Sequence, residues 1–568
     1  MLFNNVLIST SFLTTIAAFP LILGVFGLPK LLVVSLGSGI LLAIIMVSAR
    51  KLDLTYFRKI LILVLLYIIS LLLVSIFSDQ SLESILFGAA GRYNGLLSQM
   101  FYLILFVSAL LATNIEKKIL NSLVLIGILN SIYGIFQVNG ADFILANNKE
   151  DKLILLATGN TNFSALILAF TFISSCYVFL STKQLNLKIP IFISLLTHIF
   201  LMYHLDAIQV YFYLTLGLCL LGLFLLIEKK LYRLAKIFAS MIFLSFVTVV
   251  LGLLSFGPFS SVFQKSSFID RKYTWFTAIE IFKDNILFGF GLDSFAYAYP
   301  LYRTNEIIEF RNLTFTSYVN NAHNFYLQSA ATGGLILLVS FTLINFYVAL
   351  RIIPAMKKAD NKFLTGSIVC IWGCYQLNSM ISVENSSTAV WGWICAGTIV
   401  RMSFIDKDPG FIHTKSSKQF FNLNLLSSIL IFLSPFFYVL FQVISSYEFN
   451  QSIILLRESN TKSDVLIHSS RIVELSKRVN DAGTIREGIV DLGKFGEIES
   501  AVYLANQIIL KHPNSILGWD AMAQIYENTG QGHLAVKFRE KTTYLDPLNT
   551  DFKKLLELDM SLLKSYKK

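Results

Sequence analysis

The sequence predicts an all-α fold: a polytopic bundle of about thirteen membrane-spanning helices, with a long outer-face loop and a helical repeat domain at the C-terminus. Three observations lead to this fold class. Hydrophobic residues make up 55% of the 568-residue chain and charged residues only 14%, far below the share usual in soluble proteins. Apolar runs long enough to cross a bilayer recur along most of the chain. Near the end of the chain, a 34-residue period replaces them.

The candidate spans are apolar runs of about 17 to 25 residues, the length that crosses a hydrocarbon core as a helix. They lie at 9–26, 31–48, 58–77, 96–113, 118–138, 161–181, 188–204, 207–227, 235–255, 326–350, 364–383, 388–404 and 421–444. The first residues, MLFNNVLIST, lack the positive segment of a cleaved signal peptide. We therefore expect the first run to remain as a span.

Lys and Arg in the short loops indicate the orientation of the bundle. With the N-terminus in the cytoplasm, every inner loop carries several of them, whereas the short outer loops offer only Lys30, Arg92, Lys149 and Lys152. The net charge of +11 therefore reports topology and attraction to membrane lipids, and it does not indicate a nucleic-acid partner. An odd number of spans places the C-terminus outside the cytoplasm.

This pattern divides the chain into five segments. They are an N-terminal transmembrane bundle of about nine spans (1–255), a long periplasmic loop (256–325), C-terminal spans (326–444), a helical lead-in (445–480) and tetratricopeptide-like repeats (481–568). A connection as long as the second segment is usually functional when it is ordered. Its stretch RKYTWFTAIEIFKDNILFGFG spaces apolar residues as an amphipathic helix does, either on the membrane surface or packed on the bundle.

The predicted repeats rest on pairs of residues 34 positions apart: Gly496 and Gly530, Ala501 and Ala535, Pro513 and Pro547. This is the length of a tetratricopeptide repeat, with small residues at helix crossings and Pro after the second helix. Two interpretations stay open. The repeats either bind a protein partner on a concave surface or stabilise the rest of the chain.

Polar residues gather at the outer ends of the spans, where a pocket would meet the membrane surface. The stretches are GRYNG (91–95), GNTNF (159–163), YHLDAIQ (203–209), RKYTW (271–275) and NNAHN (320–324). The centres of the sixth, eighth and tenth spans carry no Asp, Glu, Lys or Arg. Ion-coupled transporters normally need ionisable groups at that depth, so the pattern counts against transport.

Two of these stretches carry the candidate catalytic residues. Arg271 offers a planar fork of donors suited to phosphate, and a helix starting at Asn324 presents unpaired N–H groups and the positive end of its dipole. Together they would stabilise a diphosphate. His323 can titrate near neutral pH and act as a general base toward an acceptor hydroxyl.

Further candidates for substrate binding lie in the same stretches. Tyr326 shares the helix face of His323, and Trp275 accompanies Arg271 in RKYTW. Arg92 and Gln209 are polar groups of two other outer loops. Each of the four has an ordinary alternative role, as an interfacial aromatic residue or as a solvated side chain.

The motif residues resemble the O-antigen ligase and polymerase superfamily. His323, Asn324 and Gly334 fit its pattern of His, a small polar residue and a later Gly, and Arg271, Trp275, Gly289, Gly291 and Phe295 fit an upstream element. The likeness covers most of residues 80–400. Two departures stand out: Leu337 occupies a place where many relatives have Gly, Thr or Tyr, and LDAIQV replaces a turn that carries a second Arg. Asp206 and Gln209 lie there instead, and Arg92, Arg303 or Arg311 are open candidates for the missing charge.

The resemblance implies a membrane glycosyltransferase of the GT-C-like type in a bacterial inner membrane. It would transfer a glycan from a polyprenyl-diphosphate carrier to a lipid or protein acceptor, without a metal or another cofactor. The outer loops agree, since they contain no Asp-x-Asp pair for a divalent cation.

Three alternatives remain open from the sequence. Ligase, polymerase and protein O-oligosaccharyltransferase forms share these residues. A polysaccharide flippase or transporter would move the lipid-linked glycan without forming a bond. A non-catalytic scaffold would depend on residues 481–568 and not on His323.

Overall fold

The computed structural model describes residues 2–48, 54–89, 91–145, 154–205, 207–253, 256, 266–311, 319–404 and 432–566. Throughout these ranges the secondary structure is helical, without a strand. The predicted all-α, polytopic membrane fold is confirmed.

The helices of the first half alternate with short connections, as the apolar runs predict. Their bounds are α1 Leu2–Ile16, α2 Gly27–Ser48, α3 Arg58–Ile76, α4 Leu82–Phe87, α5 Leu96–Leu111, α6 Glu116–Val138, α7 Thr161–Ser181, α8 Leu185–His204, α9 Gln209–Glu228 and α10 Tyr232–Leu253. The long connection that follows contains α11 Ser266–Asp284, α12 Phe295–Tyr302 and α13 Asn305–Arg311.

The second half begins with α14 Phe325–Lys358, the longest helix that the structure describes, followed by α15 Lys362–Ile381 and α16 Ser386–Met402. The remaining helices are α17 Ser434–Arg457, α18 Lys462–Ser476, α19 Ala482–Lys494, α20 Ile498–Lys511, α21 Ile516–Asn528, α22 Gly532–Leu545 and α23 Thr550–Tyr566. Residues 421–431 of the last predicted span lie outside the described ranges.

Seven helices of the described residues are long and apolar enough to cross a membrane: α2, the Thr55–Ile76 segment that includes α3, α6, α7, α8, α9 and α14. The apolar helices α1 and α5 are shorter. At the centre, α5 packs on α16, α9 on α15, α6 on α7 and α3 on α14. Lys30, at the start of α2, is buried there, and its ammonium group donates to the carbonyls of Thr14, Thr15, Ala17 and Ala157.

Helix α14 is interrupted at Gly334, whose φ of 67° is left-handed. The segment before α12 fills the interruption: Phe290 N–H donates to the Ala331 carbonyl at 2.9 Å, and Leu335 N–H donates to the Ile286 carbonyl at 2.7 Å. A side chain at Gly334 would collide with the carbonyl of Leu287. Gly334 therefore permits a backbone-to-backbone junction between the long connection and α14.

The C-terminal helical domain, residues 462–566, has a hydrophobic core of its own that extends onto the end of α17. Helices α19, α21 and α23 begin at residues 482, 516 and 550, so their starts are 34 residues apart. Because α17 is continuous through the predicted boundary between 444 and 445, the last span and the lead-in share one helix.

This domain docks on the end of the bundle that carries the long connection, which we call the loop face. Arg303, directly after α12, forms a fully buried ion pair with Asp546 at 2.6 Å. The imidazole of His512 lies 2.8 Å from the Ser84 hydroxyl of α4 and 2.6 Å from the Asn480 carbonyl. Burial lowers the pKa of His512 from its ordinary value, which favours the neutral ring in this interface.

Candidate functional site

The turn Asn320–Asn324 brings His323 to the N-terminus of α14. His323 has a left-handed φ of 48°, and its backbone N–H donates to the Asn321 side chain at 2.9 Å. Asn324 caps the helix by accepting from Leu327 N–H at 3.0 Å. The imidazole is half-buried. This places a titratable ring beside the positive end of a helix dipole, as the sequence predicts for the pair His323 and Asn324.

A buried ion pair supports the turn. Arg92 lies 3.1 Å from Asp293 and donates to the Asn320 carbonyl at 3.2 Å. Gln328, one turn into α14, accepts from Ala322 N–H at 2.7 Å and donates to Asp293 at 3.5 Å. Burial raises the pKa of the Asp293 carboxyl, and the neighbouring Arg92 opposes that rise. Arg92, a candidate for substrate binding, thus contacts the turn of His323 and a carboxylate.

A second polar group surrounds Tyr213 of α9, and we call it the donor group. The Tyr213 hydroxyl lies 3.2 Å from the Gln209 side-chain oxygen and 2.8 Å from the Asn378 side-chain oxygen, on α15. The positive charge of Arg271, on α11, acts on the Tyr213 hydroxyl. Arg271 is 7% exposed, and Gln209 and Asn378 are each 1% exposed.

Several N–H groups of the donor group have no partner within the described part of the chain. They are Arg271 Nε and Nη1, Gln209 Nε2 and Asn378 Nδ2. Burial lowers the pKa of the Arg271 guanidinium from its ordinary value, but Arg stays protonated in proteins. A buried group of unsatisfied donors with a positive charge is costly unless an anion completes it. The arrangement can therefore accept the oxygens of a phosphate or a carboxylate.

The aromatic candidates lie on the two helices that carry the turn and the donor group. Tyr326 donates to the Gln376 side chain at 2.8 Å, and Gln376 donates in turn to Asn345 at the same distance. Trp275 of α11 has a buried indole N–H without a hydrogen-bond partner in the described ranges. Tyr326 is thus held between α14 and α15, whereas Trp275 retains an unused donor.

Helix α11 and the turn of His323 share one hydrophobic cluster. It contains Ala278 and Ile281 of α11, Ala322 of the turn and Ala331 of α14, all buried. This packing connects the helix of Arg271 to the residue that precedes His323. Both candidate catalytic residues therefore lie on elements that pack together in this cluster.

The three arginines that are candidates for the second positive charge lie in different surroundings. Arg92 and Arg303 are paired with Asp293 and Asp546. Asp206 lies outside the described residues, as does the side chain of Arg311. Gln209 and Asn378 contact the Tyr213 hydroxyl, on which the charge of Arg271 also acts, so amide groups take the place of a second charge there.

Sequence reasoning missed Asp293, Gln328, Tyr213 and Asn378. Asn378 had a usable signal, since an amide inside an apolar span is costly without a partner. Asp293 follows the motif glycine Gly291 by two residues and has a left-handed φ of 51°. That conformation is uncommon for a residue other than Gly and cannot be predicted from composition.

A buried carboxylate, Glu384, lies in the connection between α15 and α16. It accepts from Gln99 at 3.0 Å, from the Trp393 indole at 3.1 Å and from the Tyr375 hydroxyl. Burial raises the pKa of this carboxyl. Among the described residues, no three His, Cys, Asp or Glu side chains are grouped as metal ligands would be.

Part of the chain matches a known protein family. A family model described as O-antigen ligase matches residues 153–342, about a third of the chain. The matched range contains Gln209, Tyr213, Arg271, Asp293 and His323. A comparison with curated proteins gives no match. The family match supports the O-antigen ligase superfamily, and with it a glycosyl-transfer enzyme of a bacterial membrane that uses a lipid-linked glycan.

Proposed function

We propose that the protein transfers a glycan from a polyprenyl-diphosphate carrier to an acceptor hydroxyl on the periplasmic face of a bacterial inner membrane, without a metal ion. The N-terminus is then cytoplasmic and the loop face periplasmic, in agreement with the Lys and Arg of the short loops. The observation that carries the proposal is the donor group, whose members Arg271, Gln209 and Tyr213 lie in the range matched by the O-antigen ligase family model.

In this proposal the donor group binds the diphosphate. Arg271 contributes the charge, while Gln209 and Asn378 add neutral N–H donors. When the glycan leaves, negative charge develops on the diphosphate oxygen, and fixed buried donors stabilise such charge effectively. The bond between the anomeric carbon and the diphosphate breaks, and its electron pair remains on the polyprenyl diphosphate. Trp275, Asn324 and Tyr326 remain candidates for contacts with the glycan.

His323 is the proposed general base. It accepts the proton of the acceptor hydroxyl while that oxygen bonds to the anomeric carbon, and it later releases the proton to water. Its position at the start of α14 supports this role, since the turn holds the ring half-exposed at the loop face. A ligase, a polymerase and a protein O-oligosaccharyltransferase would differ only in the acceptor.

The test is transfer by the purified, full-length protein in vesicles, with a synthetic polyprenyl-diphosphate glycan. Three acceptors are compared: lipid A core, the glycan itself and a protein. We expect His323→Asn to lower the rate by about 10²–10⁴-fold, because Asn tolerates a left-handed φ but is not a base at neutral pH. His533→Asn, in the C-terminal helical domain, serves as the control. Unchanged transfer by His323→Asn would refute the base, and loss of transfer with a chelator would refute metal independence.

A flippase would give a different result in the same vesicles. It would move the lipid-linked glycan between leaflets and form no new glycosidic bond with any acceptor. Movement without transfer would therefore replace the enzyme proposal with transport.

We also propose that α19 to α23 are tetratricopeptide-like repeats with a stabilising role. The 34-residue spacing of their helix starts supports the repeat assignment. The buried pair Arg303–Asp546 and the contact of His512 with Ser84 support the stabilising role over a free partner surface. Deleting residues 481–568 should then destabilise the long connection. Full stability and transfer after the deletion would instead favour a partner-binding role.

A further inference from the structure

We propose that Asp293 is a positioning residue: through Arg92 and Gln328 it holds the Asn320–Asn324 turn in the conformation that presents His323. The proposal deepens the proposed function and rests on it for the role of His323. Its structural part, the support of the turn, can be measured without glycan transfer.

The turn needs support because of its backbone conformation. His323 has a φ of 48°, in the left-handed region, where the backbone of a residue other than Gly is strained. Such conformations persist when the surrounding contacts determine them. Within the turn, the Asn321 side chain accepts from the His323 backbone N–H at 2.9 Å. Contacts from outside the turn add to this support.

Two side chains from outside the turn provide this support, and both contact the carboxylate of Asp293. Arg92 donates to the carbonyl of Asn320, at the start of the turn, and Gln328 accepts from the N–H of Ala322, directly before His323. Arg92 is 3.1 Å from Asp293, and Gln328 is 3.5 Å from it. Asp293 thus orients both side chains that hold the turn.

Asp293 is itself fixed from two sides. Its carboxylate accepts from Ala89 N–H at 3.0 Å, in the connection between α4 and α5. Its backbone follows Gly291, whose N–H donates to the Thr332 carbonyl of α14 at 3.0 Å. Gly88 also lies against the carboxylate, where a larger residue would not fit. The position of the carboxylate is therefore determined by the bundle and not by the turn.

Asp293 has no room to contact a sugar. Its side chain is 3% exposed, and the cavity beside it, lined by Asn94, Gln99 and Gln328, measures about 20 Å³. A cavity of this size holds a water molecule and nothing larger. Asp293 therefore acts through its neighbours, as a positioning residue does.

The test compares Asp293→Asn with Asp546→Asn in the full-length protein. Each change removes the carboxylate of a buried Arg–Asp pair, but Asp546 holds the C-terminal helical domain and not the turn. We expect Asp293→Asn to lower kcat by about 10–100-fold, since a small misplacement of a catalytic group has an effect of that order. The KM for the donor should remain within about twofold, because the donor group is untouched.

The second readout is the rate at which diethylpyrocarbonate modifies His323, followed by mass spectrometry. We expect the rate to rise several-fold in Asp293→Asn as the turn is released. His468 and His533, in the C-terminal helical domain, are internal controls and should react as in the unaltered protein. If Asp293→Asn does not fold, Arg92→Gln, nearer the surface, gives the same two readouts.

Two results would overturn the proposal. One is an unchanged modification rate of His323 in folded Asp293→Asn or Arg92→Gln. The other is a loss of kcat no larger than that of Asp546→Asn. Since the modification rate needs no substrate, a faster reaction of His323 together with normal transfer by His323→Asn would refute the proposed base and leave the support of the turn standing.

Discussion

The loop face contains two buried arginines whose surroundings differ sharply. Arg303 meets the carboxylate of Asp546 in a fully buried, bidentate contact. Arg271, 7% exposed, has two N–H groups without a hydrogen-bond partner in the described part of the chain, and Gln209 and Asn378 of the donor group also present unused donors. The first arginine joins two parts of the protein. The second retains buried N–H donors that could bind an anion.

The comparison shows how to separate architecture from function among buried charges. A buried charge is tolerated when its partner is built into the chain, and breaking such a pair is strongly destabilising. An unmatched buried charge lowers the stability of the folded state, so its retention calls for another explanation. Removing the two arginines should therefore have opposite effects on stability.

The largest expected effect is that of Arg303→Met on stability. Loss of the guanidinium removes the cation that faces the buried Asp546 carboxylate, which should cost about 3–5 kcal/mol. We expect a lower temperature of thermal unfolding and faster proteolysis within residues 462–566 at temperatures where the bundle is intact. Lys554→Met, an exposed change in the same domain, is the control. Unaltered unfolding of Arg303→Met would show that the pair does not hold the domain.

The next effect is that of Arg271→Met on transfer. Without its charge, the donor group should lose about 10²–10³-fold in rate, the usual effect of removing a donor from an anion-stabilising site. Arg271→Lys should also fail, because an ammonium cannot replace the planar fork. Thermal unfolding of Arg271→Met should occur at the same or a higher temperature than that of the unaltered protein.

Inorganic diphosphate provides a check on Arg271 that does not depend on turnover. A ligand that binds only the folded state raises the unfolding temperature, so diphosphate should stabilise the unaltered protein and not Arg271→Met. A marked fall in the stability of Arg271→Met, comparable with that of Arg303→Met, would assign Arg271 to architecture and contradict the comparison.

The fold was predictable from the sequence because the bilayer imposes a strong pattern. The run 161–181 coincides with α7, Thr161–Ser181, and the run 364–383 lies within two residues of α15, Lys362–Ile381. The interruption of α14 was not predictable, although its glycine was noticed. The left-handed φ of Gly334 depends on a segment some fifty residues earlier, whose backbone fills the gap.

The candidate site was predictable in part. Motif residues such as His323 and Arg271 stand out because polar groups are rare in this chain. Their partners do not, because contacts such as Arg92 with Asp293 and Tyr213 with Asn378 join residues far apart in sequence. Single residues could therefore be selected from the sequence, but the pairing that distinguishes Arg271 from Arg303 required the structure.

A smaller effect is expected when a carboxylate is introduced into the donor group by substitution. Gln209→Glu keeps the size of the side chain and places a negative charge in the donor group, so it should compete with the diphosphate. We expect the KM for the donor to rise about tenfold and the unfolding temperature to rise. Gln209→Met, which removes only neutral donors, should raise KM about two- to tenfold without stabilising the protein. A donor KM that is unchanged in both variants would remove Gln209 from the site.

The smallest effect concerns the buried carboxylate of Asp559, because the nearby Arg539 already pairs with two other carboxylates. Arg539 binds Asp520 at 2.7 Å and Glu527 at 2.6 Å, while the side chain of Asp559, on α23, is buried near them with one oxygen lacking a partner in the described ranges. Burial, followed by the charge of Glu527, raises the pKa of Asp559 to about 6.

The sign of the resulting pH dependence follows from that shift. The native pKa lies above the unfolded value of about 3.9, so the native state binds the proton more tightly. The protonated carboxyl of Asp559 should therefore stabilise the native state at about pH 5. This stabilisation should be lost as pH rises through the native pKa toward about 7. Hydrogen exchange of α23 in the full-length protein measures this effect. Asp559→Asn, which is neutral at every pH, should protect α23 at pH 7 and abolish the dependence; the same dependence in that variant would assign it to other groups.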